Sequence, residues 1–156
     1  LVNIDDSVSR TEINQLLEKF KNLNKPVCTV SVKTELELLS LPADEQTSFR
    51  KELGSPDNGV VLLIQASMQL LNLITFYTVV GTEIRAWTIP AGTTAVKAAG
   101  RIHTDMEKGF IRAEVYPYHQ LMEFGSEKQL HEQGLVRTEG KDYLVQDGDI
   151  IRILFH

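Results

Sequence analysis

At 156 residues, with 42% hydrophobic and 24% charged side chains, the chain has the make-up of one ordinary folded domain or two small ones and not that of a disordered protein. Its formal net charge of -5 gives no global attraction for nucleic acid, and its single cysteine, Cys28, excludes an internal disulfide. The longest apolar run, residues 59–64, is far too short to span a bilayer. Together these bounds predict a reducing, cytoplasmic setting and no membrane partner.

Leu1-Val2-Asn3-Ile4 reads as the end of a buried strand. Residue 1 is not Met and no signal peptide is visible, so the expectation is a processed chain or part of a longer one. Ser9-Arg10-Thr11-Glu12 has the spacing of a capping box, in which the hydroxyl caps the helix and the carboxylate reaches back. Ile13, Leu16, Leu17, Phe20 and Leu23 then recur at helical spacing. After Pro26, residues 27–32 form a β-rich run containing Cys28, which reads as a small buried side chain. Strand, helix and strand make a βαβ unit with a parallel pair. Two strands and one helix cannot bury a core alone, so this segment reads as the tail end of a larger α/β domain.

In open α/β sheets, ligands bind beyond the carboxyl ends of the strands. Those ends carry Asn3-Ile4-Asp5-Asp6 and Ser31-Val32-Lys33. An amide followed by a carboxylate can read a purine edge. The same residues can equally form a plain polar loop, and spacing alone leaves both readings open. Residues 34–53 read as two helical pieces broken at Leu41-Pro42, with Gly54 as a C-cap and residues 54–59 as a linker loop. Residues 60–71, with Val60, Leu63, Ile64, Met68 and Leu71 apolar, predict a helix that joins residues 1–71 to a second domain over residues 72–156.

That second domain opens with a hairpin, residues 73–80 and 82–89 about Gly81. Thr93-Thr94 can cap a small-residue helix over residues 95–100, and Ile111-Arg112-Ala113-Glu114-Val115 alternates like a half-buried strand. Tyr116-Pro117-Tyr118 is expected to stop it. A short helix over 126–133 ends at Gly134. Short strands follow at 135–138 and 143–145, and Asp147-Gly148-Asp149 turns into a final strand over 150–155. A strand pair, a packed helix and later strands are the order of a ubiquitin-like β-grasp, so the fold class is α+β.

Few residues announce chemistry. His103 and Asp105 lack a convergent third ligand and read as loop structure, while His119, His131 and His156 read as isolated surface residues. Glu139 with Asp142, and Asp147 with Asp149, are explained by turns around Gly140 and Gly148. Trp87 reads as core or rim. No catalytic residue and no metal site is predicted. The binding candidate is a basic set: Lys97 and Arg101 are four apart on one helix face, with Lys108 and Arg112 close behind. Such a set can meet phosphates or serve as a solvated face. Residues 71–156 hold nine Lys/Arg against eleven Asp/Glu, a balance that argues against strong general RNA affinity.

Several blocks are specific enough to resemble a family. Leu73-Ile74-Thr75-Phe76-Tyr77-Thr78, Arg85-Ala86-Trp87-Thr88-Ile89, Gly92-Thr93-Thr94-Ala95, Ile102-His103-Thr104-Asp105, Glu107-Lys108-Gly109-Phe110-Ile111-Arg112-Ala113-Glu114, Glu139-Gly140-Lys141-Asp142-Tyr143 and Gln146-Asp147-Gly148-Asp149 are similar to the TGS domain of YchF-type proteins, the Obg-like ATPases. The resemblance continues upstream, where the family's P-loop domain ends with an N-x-x-E strand, a helix and an S-A-K strand. It implies a β-grasp TGS domain over 72–156, preceded over 1–71 by the last βαβ portion of a P-loop domain with linking helices. It also implies that Asn3, Asp6, Ser31 and Val32 bind a nucleotide base. Ile4 departs from the Lys of ordinary GTPases, as the family does, a change associated there with ATP. Asp6 stands for the usual Glu and Val32 for the usual Ala.

No G-x-x-x-x-G-K-[ST] occurs, so the phosphate cradle is missing from this sequence. The resemblance therefore implies ATP or GTP with Mg²⁺ in a parent protein, no cofactor for this chain alone, and an N-terminal P-loop domain as its missing partner. It implies ribosome or RNA contact, for which the basic set Lys97, Arg101, Lys108 and Arg112 is the candidate surface. A protein-binding β-grasp adaptor without nucleic-acid contact is the alternative.

Overall fold

The computed structural model describes residues 1–23, 25–53, 58–81 and 83–156. The chain divides into two compact units, Leu1–Leu71 and Asn72–His156. The predicted C-cap Gly54, most of the loop after it, and Thr82 of the hairpin lie outside the described residues.

In the first unit β1 (Val2–Asn3) and β2 (Thr29–Val30) pair in parallel, with Asn3 opposite Val30. Between them runs α1 (Arg10–Phe20), extended by a 3₁₀ turn at Lys21–Leu23. The predicted capping box is present: Glu12 N–H donates to Ser9 Oγ at 3.3 Å, and Ser9 N–H donates to Glu12 Oε2 at 2.9 Å. Ile13, Leu16, Leu17 and Phe20 form a half-buried stripe, and Cys28 is likewise half-buried.

The β-rich run over 27–32 is shorter than its composition suggests. Ser31 turns the chain and its hydroxyl accepts Thr34 N–H at 3.2 Å, so Val32 opens α2 (Val32–Leu38) instead of extending a strand. The break at Pro42 holds, with Pro42 standing as N-cap of α3 (Ala43–Glu52).

The last helix of this unit, α4 (Gly59–Leu70), differs from expectation in which face it buries. Val60, Leu63 and Ile64 are exposed, and burial falls on Gly59, with Leu62, Ala66 and the expected Met68 half-buried. The helix must begin on glycine because a Cβ there would lie 2.5 Å from Val30 Cγ1. Among the described residues of this unit, Leu38 is the single buried hydrophobic side chain. The unit is tied instead by Arg50, whose fork donates to Glu35 Oε1 at 2.6 Å and Oε2 at 2.7 Å. Gly59 N–H adds a bond to Glu35 Oε1 at 2.9 Å, joining α2, α3 and α4 at one carboxylate.

The second unit opens with β3 (Leu73–Val80) and β4 (Glu83–Pro90), an antiparallel pair in unbroken register. Gly81 makes the turn at φ 63, a conformation that favours glycine. Then follow α5 (Ala95–Ile102), α6 (Thr104–Lys108), β5 (Phe110–Pro117), α7 (Tyr118–Phe124), α8 (Glu127–Glu132), β6 (Arg137–Glu139) and β7 (Asp149–Phe155). The sheet order is β4-β3-β7-β5-β6. Central β7 is parallel to β3 through Tyr77 and Ile150, and antiparallel to β5.

Strand alternation divides the core between the two faces. Phe76, Ile89, Ala113, Val115 and Ile151 pack with Ala95, Ala98 and Ala99 of α5. Tyr116 and Ile150 face the other way, against Leu121, Phe124 and Leu130 of α7 and α8. Trp87 Nε1–H donates to Thr78 Oγ1 at 3.0 Å, and its ring stacks on Phe76 at 6.5 Å. It is a core-and-rim residue, as its strand position predicts.

Tyr116-Pro117-Tyr118 ends the strand as expected: Pro117 is the last residue of β5, and the chain passes straight into α7. Four other expectations need correcting. The strand near 135–138 is instead Arg137–Glu139, and residues 143–145 supply only a bridge, Leu144 to Thr94. Thr94 caps α5 without a side-chain bond. Tyr143 O accepts Ala95 N–H at 2.8 Å in its place, and Thr93 Oγ1 donates to Pro90 O at 2.6 Å. The segment from His103 to Asp105 is not loop: His103 caps α6, its Nδ1 accepting Asp105 N–H at 3.2 Å.

Asp147 and Asp149 serve the sheet ends, as turn chemistry suggests. Asp147 Oδ1 accepts Thr75 N–H at 2.8 Å. Asp149, 2% exposed, accepts Tyr143 Oη–H at 2.7 Å and Gln146 N–H at 2.8 Å. Burial, and then the Asp149 carboxylate, pushes the Tyr143 phenol up to about 12.

Candidate functional site

The parallel pair β1–β2 brings two sequence-distant polar groups to the same strand ends. Asn3 closes β1, and Ser31 follows β2 directly. Asn3 Oδ1 accepts Val32 N–H at 3.0 Å, which clamps the two turns together and leaves the Asn3 amide N–H groups to donate elsewhere. Asp6 reaches the same place from the β1–α1 turn. Its Oδ1 accepts the hydroxyls of Ser31 and Thr34, and Lys33 Nζ stands 2.9 Å from Oδ2.

The resemblance names Asp6 and not Asp5 as the base-binding carboxylate, and the structure gives the two different partners. Asp5 Oδ1 accepts Ser7 N–H at 3.0 Å and Ser7 Oγ–H at 2.6 Å, so Asp5 is committed to its own turn. Asp6 is held across the two loops. The Ser31 hydroxyl, then Thr34 and Lys33, keeps its carboxyl well below the usual carboxylate range. It is therefore a fixed, ionised acceptor at neutral pH. Three donors occupy three of the roughly four lone-pair directions of a carboxylate.

All four base-binding candidates are thus brought together, but they play different parts. Asn3 and Asp6 offer side-chain donors and an acceptor, Ser31 positions Asp6, and the Val32 N–H is already given to Asn3. Two partners were missed: Lys33 was quoted without a role, and Thr34 carried no signal beyond following Ser31 by three residues. Beside the cluster lies a cavity of about 520 Å³ lined by Asp6, Ser31, Thr34, Glu35, Arg50 and Gly59 among others. An amide donor pair beside a fixed carboxylate acceptor can read the edge of a heterocyclic base.

On the second unit, Lys97 and Arg101 lie on α5, Lys108 ends α6 and Arg112 lies on β5, all exposed. Lys97 is the exception to a free basic face, since its Nζ stands 2.6 Å from Glu107 Oε1. Glu107 in turn crosses Gly100, where a Cβ would run into the Glu107 carboxylate. Among the described residues, no ion pair involves Arg101, Lys108 or Arg112, so these three are the better anion contacts. No described helix is long and apolar enough to cross a membrane.

Residues 73–156 match the family model YchF-GTPase_C, described as a protein of unknown function (DUF933). The ribosome-binding ATPase YchF of Escherichia coli O157:H7 is 41% identical over 145 residues, 93% of this chain and 39% of that protein. The protein of the same name from Bacillus subtilis (strain 168) is 40% identical over 156 residues, 97% of this chain and 43% of its relative. The solved YchF GTPase of Schizosaccharomyces pombe superposes with a TM-score of 0.76 at 29% identity, over 91% of this chain and 38% of that one. A GTP binding protein from Pyrococcus horikoshii OT3, 21% identical with a TM-score of 0.66, shares the fold over 97% of this chain and 43% of its own. The chain spans about two fifths of the length of the curated relatives it matches.

Proposed function

The chain belongs to the YchF family, whose model covers residues 73–156, and on that premise we propose that it is the C-terminal portion of a nucleotide-binding, ribosome-contacting protein. Residues 1–71 supply the base-reading edge of a P-loop domain. Residues 72–156 are a TGS domain of β-grasp type that meets the ribosome or its RNA under nucleotide control. The phosphate cradle and the Mg²⁺ that would hydrolyse ATP or GTP belong to an upstream part of the parent protein. This chain alone carries no hydrolytic activity.

The observation that carries this reading is the Asn3–Asp6–Ser31 cluster at the ends of two parallel strands, where α/β sheets bind ligands. The residues fit a base and not a phosphate: a fixed carboxylate repels anions, whereas an amide beside it complements a base edge. The β-grasp assignment is supported by the strand order, in which the last strand enters the middle of the sheet parallel to the first. Ribosome contact is supported by the names of the relatives and by the exposed Arg101, Lys108 and Arg112.

The adaptor reading keeps one specific support, because Lys97 is neutralised by Glu107 and the unit is slightly acidic. Salt separates the two. For the full-length protein, co-sedimentation with ribosomal particles is expected to weaken steeply between about 50 and about 200 mM salt. Reversing Arg101 and Lys108 to Glu is expected to weaken binding about tenfold or more and to flatten the salt slope. Binding that ignores both salt and the double reversal would establish the adaptor instead.

A further inference from the structure

On the sheet face covered by α7 and α8, Glu114, Glu127 and His131 converge, with one ligand atom from each lying within 4.8 Å of the others. Two spacings bring this about. Glu114 lies between the buried Ala113 and Val115 on β5, so it points to the opposite face with Tyr116. Glu127 and His131 are four apart on α8 and share one side of that helix, with His131 Nε2 at 3.8 Å from Glu127 Oε1.

The charge at this point is poorly compensated. Arg152 pairs with Glu114 across β5 and β7, yet its Nη1 stands 3.9 Å from Glu114 Oε2 and 4.0 Å from Glu127 Oε1. Those separations exceed hydrogen-bond length. Among the described residues neither carboxylate accepts a hydrogen bond, so two anions and an imidazole share one loosely placed guanidinium. A cleft of about 530 Å³, lined by Tyr116, Glu127, Ile150 and Arg152 among others, reaches this cluster at Glu127 and Arg152.

The geometry points to a binding site for one divalent transition-metal ion of the zinc class, held by Glu114, Glu127 and His131 and completed by water. Two carboxylate oxygens with an imidazole nitrogen suit zinc, whereas magnesium and calcium take oxygen ligands throughout. Small side-chain rotations close the three ligand atoms onto one centre. Arg152, 65% exposed, swings to solvent as the ion replaces its charge. The ion then clamps α8 to β5.

Zn²⁺ alone is the probe, titrated calorimetrically into the full chain after chelator treatment, with Mg²⁺ as the control. One equivalent of Zn²⁺ is expected to bind at micromolar or lower concentration and to raise the unfolding temperature, while Mg²⁺ does neither. His131→Ala and Glu114→Gln are each expected to weaken binding about tenfold or more with unchanged helicity. Arg152→Gln is expected to tighten it, because the competing cation is gone. Since His131 is exposed, its variant folds, and its titration decides the matter. The site is overturned if no Zn²⁺ binds, if His131→Ala binds as the wild type does, or if the equivalent is lost on His103→Ala instead.

Discussion

Phe76→Ala is expected to cost the second unit about 3–5 kcal/mol, the range for deleting a fully buried phenyl ring. Phe76 has no exposed surface and sits where β3, β4, α5 and β7 meet, among Ile89, Ala98, Ala99 and Ile151. The alanines of α5 are already minimal and cannot grow into the void, so the cavity stays open. For a unit of this size the loss corresponds to roughly 12–40 °C in unfolding temperature, at about 4–8 °C per kcal/mol. Trp87 reports it directly, being the only tryptophan and standing opposite Phe76 across the β3–β4 ladder. Thermal unfolding followed by Trp87 fluorescence therefore checks the value. Phe76→Leu should lose much less, and a Phe76→Ala transition within about 1 kcal/mol of the wild type would contradict the packing described.

Arg50→Met is expected to destabilise the first unit by about 2–4 kcal/mol, because breaking a buried ion pair strands its partner. Glu35 is 18% exposed and keeps the Gly59 N–H, which places the loss toward the lower end. Far-UV circular dichroism follows it, since α1 to α4 make up most of this unit. The same pair sets an acid sensitivity. The Arg50 fork, with help from Gly59 N–H, lowers the folded Glu35 carboxyl below its ordinary value. A lowered folded value means stability that is fully present above the unfolded carboxylate range and is lost as pH falls through the folded value. Wild-type helicity in this unit should thus fade in acid more steeply than that of Arg50→Met. Replacing both partners, Arg50→Met with Glu35→Leu, should recover part of the loss; no recovery would mean that the pair is not the tie described.

Local rules carried far in this sequence where one short segment decides the outcome. Ser9 and Glu12 specify their capping box alone, and the β3–β4 hairpin follows from two β-rich runs about a glycine. Errors arose where a neighbour in space decides. Residues 27–32 look like one strand, yet the Ser31 cap overrides β-propensity at Val32. The α7 helix hides in an aromatic stretch between Pro117 and Gly125, and Gly125 ends it at φ 76. Gly59 reads as loop until Val30 is seen against it.

The candidate sites divide the same way. Asn3, Asp6 and Ser31 could be placed together because a parallel pair aligns its strand ends. That Asp5 is tied to its own turn while Asp6 is held across the two loops needed the Ser7 and Thr34 hydrogen bonds. Lys97 looked free because Glu107, ten residues on, reaches it only once α6 folds back against α5. His131 looked isolated because Glu114 comes from a strand seventeen positions earlier.

The central claim is that Asn3 and Asp6 read a nucleotide base, and full-length protein bearing Asn3→Ala or Asp6→Ala tests it most directly. The measurement is equilibrium binding of ATP and GTP beside base-free inorganic triphosphate. Each variant is expected to lose about tenfold or more in nucleotide affinity while binding triphosphate as the wild type does, so that the advantage conferred by the base disappears. Variants that keep the wild-type preference for nucleotide over triphosphate would show that the cluster is only a polar turn.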